Sequence, residues 1–304
     1  MNLIEKYYNN RLTDYYKHIR NKLENSSVIR ENNKIIEVVK FIENEISLIN
    51  DDVKLAFPIG ININDTIAHF SPDYDDIRIF NENDLIKIDF GIHIDGCIID
   101  SSRTYTISNE DSLENKMIST CKEACNEAIK NIKSETYIPD VSNLIEEIIL
   151  SNDFYPIEEL CGHEIDQYKI HNKLVIPNIK CDEFLPNHMR RIKNNCIYAI
   201  EPFLSNKKTK IYGDLDNISH YMFNYHRYDI KLLKKLPYIN NNYKTLCFDI
   251  KWLKNKISEK EIYEIINSNL VTPYPPLKCV DNKIKTAHYE ETIFVNDNKS
   301  IILS

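Results

Sequence analysis

The sequence has 304 residues, of which 42% are hydrophobic and 28% charged, so the chain can bury a core and keep a polar surface. Its formal net charge of −8 argues against a protein that binds nucleic acid or an anionic membrane mainly by electrostatics, because both need a basic surface. No apolar run approaches the roughly 20 residues of a membrane-spanning helix, and the N-terminus lacks the apolar segment of a signal peptide. We therefore expect a soluble, cytoplasmic protein.

Glycine is scarce, since average usage of about 7% would give roughly 21 glycines in a chain of this length, and there are only 5. None are spaced as in a dinucleotide-binding or P-loop motif, so we exclude both classes of phosphate-binding loop. Each remaining glycine is expected where the backbone tolerates no side chain. The 8 cysteines include no C-x-x-C pair and predict free thiols.

The hydrophobic periodicity predicts helices over residues 1–50, strands from about residue 56 to 108, and helices again at 112–132 and 141–151. Short apolar runs predict strands at 173–176 and 197–200. Helical spacing returns over 228–270, beginning with Leu232, Leu233 and Leu236, and Ala287–Val295 is expected to form one last strand. Because no repeat or linker interrupts this order, we expect one mixed α/β domain with a helical insertion.

Asp95-Gly96 lies between two apolar segments and predicts a two-residue β-hairpin turn. Counting outward from that turn pairs Gly91 with Asp100 and Asp89 with Ser102. The two aspartates then share a face as diagonal neighbours, about 7–8 Å apart at Cα. Two carboxylates at that spacing can grip metal ions, although two solvated acids on a hairpin would look the same.

The remaining candidate residues are ambiguous when each is taken alone. His163 begins a false H-E-x-x-H helix, because Gln167 stands where the second histidine is required. His163 and His171 can reach one small site only if the segment between them turns. His69 and Glu201 have structural explanations as good as functional ones, and the alternation around Glu290-Glu291 does not decide which acid points inward.

Several segments in fixed order resemble the type-2 methionine aminopeptidases of the pita-bread metallopeptidase group. Those segments are Ala56-Phe57-Pro58, Ala68-His69-Phe70, Lys87 to Gly91 with Asp100, Gly162-His163 to His171, Ala199-Ile200-Glu201, and Tyr289-Glu290 with Thr292. Residues 219–222 and 273–277 frame the insertion that marks type 2. The resemblance implies an α+β pita-bread (creatinase/aminopeptidase) fold, with a central curved antiparallel sheet flanked by helices. It implies one catalytic domain, residues 1–304, with a small helical insertion at about 219–274.

The resemblance also implies two divalent metal ions, cobalt, manganese or iron, with zinc possible. Their ligands by motif match are Asp89, Asp100, His163, Glu201 and Glu290. Four carboxylates would neutralise two divalent cations, and an oxygen-rich set suits these metals. The implied activity is removal of the initiator methionine from nascent proteins and peptides, by attack of a metal-bridging water on the first peptide bond.

Roles for individual side chains follow from the same resemblance. Glu201 would move the proton of the attacking water, and His69 and His171 would contact the scissile amide. Fumagillin-type epoxides would bind at His69. The methionine pocket is implied at Phe57, Ile170, His220 and Tyr274, with Cys247 on a weaker match.

Two alternatives differ in class: a catalytically inactive pita-bread protein that binds partners, and a Pro-directed aminopeptidase of the same fold. The segment Pro202 to Lys208 departs from the Gly-rich stretch usual in eukaryotic type-2 enzymes, and the polybasic N-terminal extension of many relatives is missing. A ribosome association is therefore possible, but the sequence contains no basic segment that supports it. The chain is rich in isoleucine, asparagine, lysine and tyrosine, which indicates an A+T-rich genome. Such a genome favours a compact-genome eukaryote, such as a microsporidian-like parasite, as the source.

Overall fold

The computed structural model describes residues 3–109, 112–181, 186, 190–223, 237–254, 256–268 and 270–304. Among these residues, no helix is both long and apolar enough to cross a membrane. All strand pairings between named strands are antiparallel, and helices pack against the sheets, as the predicted α+β class requires. No disulfide bond joins any of the eight cysteines, all of which lie in the described part of the chain, as predicted.

Three helices form the N-terminal part of the chain, as the hydrophobic periodicity predicts. They are α1 (Leu3–Asn9), α2 (Leu12–Glu24) and α3 (Ile36–Ser47). Their apolar faces join the largest core cluster together with the first sheet. Tyr16 of α2 stacks on Phe90 at 4.9 Å between ring centroids, and the Tyr7 hydroxyl donates to the Ile98 carbonyl at 2.8 Å. These contacts fix the helices on one face of the sheet.

The predicted hairpin forms with the predicted register. The first sheet contains β1 (Lys54–Leu55), β2 (Gly60–Ile63), β4 (Leu85–Ile94) and β5 (Cys97–Thr106). Strand β3 (Thr66–Ala68) belongs to a separate sheet. Strand β4 pairs with β1, β2 and β5, and the β4–β5 register joins Gly91 to Asp100. Asp95 and Gly96 both have positive φ, at 50° and 79°, as a type I′ turn requires.

Two helices and five strands follow. They are α4 (Leu113–Asn131), α5 (Ile138–Ser151), β6 (Tyr155–Pro156), β7 (Cys161–Ile165), β8 (Val175–Pro177), β9 (Cys196–Ile200) and β10 (Phe203–Ser205). The Ser112 side chain caps α4 by accepting from the Asn115 N–H. Helix α5 begins before the predicted residue 141 because Pro139 is favourable in a first helical turn.

The predicted insertion contains both helices and strands in its described residues. They are β12 (His220–Phe223), α6 (Pro237–Asn242), β13 (Phe248–Asp249), α7 (Ile250–Leu253), α8 (Glu259–Ile266) and β14 (Val271–Tyr274), preceded by β11 (Ile211–Gly213) and followed by β15 (Leu277–Cys279). Strands β13, β12 and β14 make a three-stranded sheet over a small core of their own. The helical spacing expected at Leu232, Leu233 and Leu236 lies outside the described residues.

The prediction of one continuous last strand over Ala287–Val295 was wrong. The structure has β16 (Thr286–His288), β17 (Glu291–Val295) and β18 (Ser300–Ile302), with a break between the first two. Strand β16 pairs with β10, whereas β17 pairs with β9 in a second sheet of order β18-β17-β9-β7-β8. At the break, the Glu290 N–H donates to the Ser102 carbonyl at 2.9 Å. The chain therefore changes sheets at Glu290, where the second sheet meets β5.

Candidate metal centre and substrate pocket

A cavity of about 260 Å³ lies at the junction of the two sheets. Every residue that the sequence analysis proposed for metal or substrate binding lines it. The lining includes Asp89, Asp100, His163, Glu201, Glu290, Phe57, His69, Ile170, His171, His220, Cys247 and Tyr274. The structure therefore brings together residues from the whole length of the chain.

The hairpin register presents the two aspartates from adjacent strands. Asp89 lies on β4 opposite Ser102, and Asp100 lies on β5 opposite Gly91, so the two aspartates are diagonal neighbours two register positions apart, as predicted. The main chain of Asp100 is held by a side chain of β17, because the Asp100 N–H donates to the Thr292 hydroxyl oxygen at 2.8 Å. Asp100 therefore lines the cavity from a strand that is hydrogen-bonded to β17 as well as to β4.

The ambiguity between Glu290 and Glu291 is resolved by the strand break. The Ser101 hydroxyl donates to the Glu290 carbonyl at 2.6 Å, in addition to the main-chain bond from Glu290 to Ser102. Glu291 points to the other side, where its carboxylate accepts hydrogen bonds from the Arg103 guanidinium and the Ser304 hydroxyl. Glu290 is the acid that lines the cavity.

His163 and Glu201 come from adjacent strands of the second sheet. His163 pairs with Ala199 in the β7–β9 register, and Glu201 follows the last residue of β9. The imidazole Nε2 of His163 lies 3.1 Å from Glu201 Oε1 and 3.6 Å from Asp100 Oδ2. At Gly162, a Cβ would lie 2.5 Å from the Ala199 carbonyl oxygen, so the close approach of these strands requires glycine.

Burial raises the pKa values of all four carboxyl groups well above their ordinary range, and repulsion between carboxylates raises three of them further. Burial is the largest cause for Asp89, Asp100, Glu201 and Glu290. The negative charges of neighbouring carboxylates add to this for Asp89, Asp100 and Glu290. No lysine or arginine lines this cavity among the described residues. The cluster therefore lacks the positive charge that buried acids need.

The carboxylate oxygens and imidazole nitrogens of the cavity form two groups, each of which has the composition and spacing of a metal site. Ligand atoms of Asp100, His163 and Glu290 lie within 4.8 Å of one another, and so do those of Asp89, His288 and Glu290. Asp89 Oδ1 and Glu290 Oε1 are buried without a hydrogen-bond partner in the described part of the chain. An oxygen-rich set with imidazole nitrogen suits divalent transition metals.

His69 and His171 line the same cavity. Residues 166–169 form a tight turn after β7, in which Asp166 and Lys169 exchange main-chain hydrogen bonds at 2.9 Å. The chain therefore reverses between His163 and His171, as it must if both are to reach one site. The centroids of their rings lie 4.5 Å apart. His69 has a φ of 66°. Burial lowers the pKa of His69 to about 4, and burial together with the charges of the other two histidines lowers that of His171.

The predicted side-chain pocket has fixed walls. The Pro58 carbonyl can only accept a hydrogen bond, so Nε2 of His220 donates to it at 3.2 Å, and Nδ1 accepts from the Ser219 hydroxyl at 3.0 Å. Burial lowers the pKa of His220 to about 3. Tyr274 packs edge-on to His69 at 5.7 Å between ring centroids. His220 is thus a neutral wall residue with both nitrogens occupied.

Sequence reasoning missed His288 and Phe203, which also line the cavity. Their rings stack at 3.7 Å between centroids with an interplanar angle of 15°. Phe203 lies in the segment that departs from the Gly-rich pattern, and there it begins strand β10. His288 stands two residues before Glu290, and the two-residue period of a strand was the one signal that could have placed its side chain beside Glu290.

Comparisons with known proteins show the family and the fold. A model of metallopeptidase family M24 matches residues 15–225. A methionine aminopeptidase of Methanocaldococcus jannaschii is 31% identical over 87% of each chain, and methionine aminopeptidase 2 of Encephalitozoon intestinalis is 28% identical over 94% of this chain and 84% of its own. The crystal structure of a Thermotoga maritima methionine aminopeptidase, 19% identical, superposes with a TM-score of 0.66 over 94% of this chain and 90% of its own, which confirms the predicted fold.

Proposed function

Because this chain belongs to metallopeptidase family M24 and its relatives along nearly the whole chain are methionine aminopeptidases, we propose that it is a methionine aminopeptidase of type 2. It removes the N-terminal methionine of nascent proteins and peptides. The observation that carries the proposal is the convergence of four buried acids and His163 on a cavity that apolar and aromatic side chains also line.

Asp89, Asp100, His163, Glu201 and Glu290 would hold two divalent cations, for which we propose cobalt, manganese or iron, or else zinc. Such ions supply a bound water of lowered pKa and polarise the scissile carbonyl. Glu201 is the residue that we assign to proton transfer, because its Oε1 lies beside His163 and burial raises its pKa above that of an ordinary glutamate, which makes its carboxylate a better proton acceptor.

His69 and His171 would contact the scissile amide. Both imidazoles are neutral at pH 7, since their pKa values are lowered, so each can donate one hydrogen bond without adding charge. Their neutrality suits a site in which the carboxylates already balance the charge of two cations. A developing negative charge on the amide oxygen would be stabilised by such a donor.

The walls Phe57, Ile170, His220 and Tyr274, with Cys247 beside them, form the proposed methionine pocket. An unbranched thioether fills an irregular apolar slot better than a branched side chain does. Preference for methionine over leucine at the first position would then rest on fit alone.

We further propose that residues 1–304 form one catalytic domain with the type-2 insertion at about 219–274, and that the enzyme acts in the cytoplasm. The similarity to Encephalitozoon intestinalis methionine aminopeptidase 2 supports the type and fits a microsporidian-like source. Fumagillin-type epoxides would react at His69. A ribosome association is not proposed, since the charge of −8 offers it no support.

Cleavage of a small peptide panel tests the proposed function. We expect kcat/KM to be highest for Met-Ala peptides, lower for Met-Val, and lower for Leu-Ala by about 10–200-fold, the range for a side chain that fits an apolar pocket poorly. A Glu201→Gln variant purified in the same way controls for contaminating peptidases. Efficient cleavage of Ala-Pro without preference for Met-Ala would instead identify a Pro-directed enzyme.

A further inference from the structure

His288 has no role in the proposed mechanism, yet its ring reaches the centre of the acid cluster. Only 2% of the residue is exposed. Its Nε2 lies 3.5 Å from Glu290 Oε2 and 3.8 Å from Glu201 Oε2. Within the described part of the chain this nitrogen has no hydrogen-bond partner. A buried polar atom in that state calls for a ligand.

The orientation of His288 is fixed before any ligand binds. Its main chain is held from both sides by Thr104, whose hydroxyl accepts from the His288 N–H at 2.9 Å and donates to the His288 carbonyl at 2.6 Å. Its ring is stacked on Phe203, the residue paired with it in the β10–β16 register. The ring therefore presents Nε2 to the acids at little further entropic cost.

The donor atoms form two groups that share Glu290. One group joins Glu290 to Asp100 and His163, and the other joins it to Asp89 and His288. Each group therefore contains one imidazole and at least two carboxylates. This arrangement is what two neighbouring cations would need if each were to receive one nitrogen ligand.

We propose that His288 is a sixth protein ligand of the metal centre and binds, through Nε2, the ion held by Asp89 and Glu290. The inference rests on the proposed dinuclear function. A neutral imidazole adds no charge, so four carboxylates still balance two divalent cations. Imidazole favours zinc, cobalt and iron over manganese, and the second nitrogen should shift the metal preference of this centre in that direction.

The competing role for His288 is that of a positioning residue whose Nε2–H orients the carboxylates of Glu290 and Glu201. The distances of 3.5 and 3.8 Å are longer than an N–H···O hydrogen bond. His288→Gln separates the two roles, since an amide can still donate a hydrogen bond but cannot replace imidazole as a nitrogen ligand. His288→Ala removes both functions.

The test is calorimetric titration of the chelator-treated full chain with Zn²⁺ and with Mn²⁺. We expect two ions to bind, and His288→Gln and His288→Ala each to weaken one of them by at least about 10-fold, more for Zn²⁺ than for Mn²⁺. His93→Gln is the matched control, because His93 is a buried imidazole on β4 outside the cavity. X-ray absorption of the wild-type protein loaded with two zinc ions should show one imidazole per zinc, falling by half in His288→Gln.

The outcomes separate the two proposals. Two bound ions with half an imidazole per zinc in the wild-type protein, and unchanged affinities in both variants, would overturn the role of His288 and leave the proposed function standing. A wild-type protein that binds no ions would overturn both. The number of imidazoles per zinc, measured by X-ray absorption of the wild-type protein, tests whether His288 binds metal even if a variant fails to fold.

Discussion

Four carboxyl groups share one buried site, and none of them has a cationic side chain as a partner in the cavity lining that the structure describes. Burial disfavours the charged form of each group, and the charges of its neighbours disfavour it further. In the absence of metal, the cluster takes up protons or destabilises the fold. The arrangement of these acids therefore favours bound cations, and it lowers the free energy of unfolding of the metal-free protein.

Asp100→Asn should lower kcat/KM by at least about 100-fold, which corresponds to roughly 3 kcal/mol of lost transition-state stabilisation. An amide keeps the shape of the carboxylate but is a poor metal ligand. The chelator-treated variant should nevertheless be at least as stable as the wild-type protein, because one repelling charge is gone. Peptide kinetics and thermal unfolding in the presence of a chelator measure the two effects.

The stability difference between these two chelator-treated proteins should also depend on pH. A carboxyl whose folded-state pKa is raised binds more protons in the folded protein than in the unfolded chain, so its contribution falls as pH rises above the ordinary value of 3.8. The amide that replaces the Asp100 carboxyl does not titrate, and the histidine contributions are common to both proteins. The advantage of the variant in Tm should therefore grow from about pH 5 to about pH 8. A constant difference over this range would show that the folded-state pKa of Asp100 is not raised, because a carboxyl that is ionised in both the folded and the unfolded protein makes no pH-dependent contribution.

His69 should be the residue alkylated by a fumagillin-type epoxide. Its imidazole is neutral at pH 7, because burial lowers its pKa to about 4, and it lines the cavity beside the proposed metal ligands. Mass spectrometry of the treated protein should find one adduct on the peptide that contains His69. His69→Asn should abolish the adduct and His171→Asn should not. An adduct on another residue of the wild-type protein would contradict the assignment.

At the scale of secondary structure, hydrogen bonds between strands position the proposed ligands. Strand β5 carries Asp100, and its neighbouring residues Ser101 and Ser102 hold the main chain of Glu290 where β16 ends and β17 begins. A small displacement of the β4–β5 hairpin would therefore move three of the proposed ligands together. The hairpin is the element whose packing matters most to the site.

Gly91→Ala tests this dependence. An added Cβ would lie 2.4 Å from the ring of Phe57 and 2.7 Å from the Ile99 carbonyl oxygen, both closer than van der Waals contact allows. We expect a loss of about 1–3 kcal/mol in the free energy of unfolding, the cost of overpacking a core, together with a lower kcat/KM for Met-Ala peptides. Urea unfolding and peptide kinetics measure the two quantities.

The control for Gly91→Ala is the double variant with Phe57→Leu, which relieves the clash with the ring. It should recover part of the stability without recovering the kcat/KM, since Phe57 is also a wall of the pocket. A Gly91→Ala protein with wild-type stability and kinetics would show that the hairpin can shift without disturbing the site.

At the scale of the whole molecule, the proposed ligands come from separate sheets. Asp89 and Asp100 belong to the hairpin sheet, His163 and Glu201 lie in or next to the second sheet, and Glu290 lies where the chain passes from β16 to β17. Cations bound to this set would connect the two sheets. Metal binding should therefore stabilise the whole fold.

Removal of metal by a chelator should abolish aminopeptidase activity and lower Tm, and readdition of Co²⁺ or Mn²⁺ should restore both. Free metal at 100 times its dissociation constant contributes about 2.7 kcal/mol per site to the free energy of unfolding. Differential scanning calorimetry with metal analysis measures this directly. Full activity in a protein shown to contain no metal would contradict the proposed chemistry.

The sequence by itself determined the features that depend on neighbouring residues. Hydrophobic spacing predicted that residues 1–50 are helical, and Asp95-Gly96 predicted both the hairpin and the register that sets Asp89 diagonally across from Asp100. The helices follow from the spacing of apolar residues along the chain. The hairpin and its register follow from turn geometry and strand pairing within about 20 residues of chain. The resemblance to known aminopeptidases, rather than spacing, supplied the proposed ligands that are distant in sequence.

Local alternation left Glu290 and Glu291 undecided, and the resemblance selected Glu290. Only the tertiary structure showed the contacts that turn Glu290 to the cavity, brought His171 to His163, divided the last strand and placed His288 in the cavity. The contacts responsible join residues far apart in sequence, such as Ser102 with Glu290 and Phe203 with His288. Local alternation predicts one unbroken strand over residues 287–295, because it contains no information about which strand each half will pair with. The break, and with it the orientation of two side chains in the site, comes from hydrogen bonds to β5 and β10.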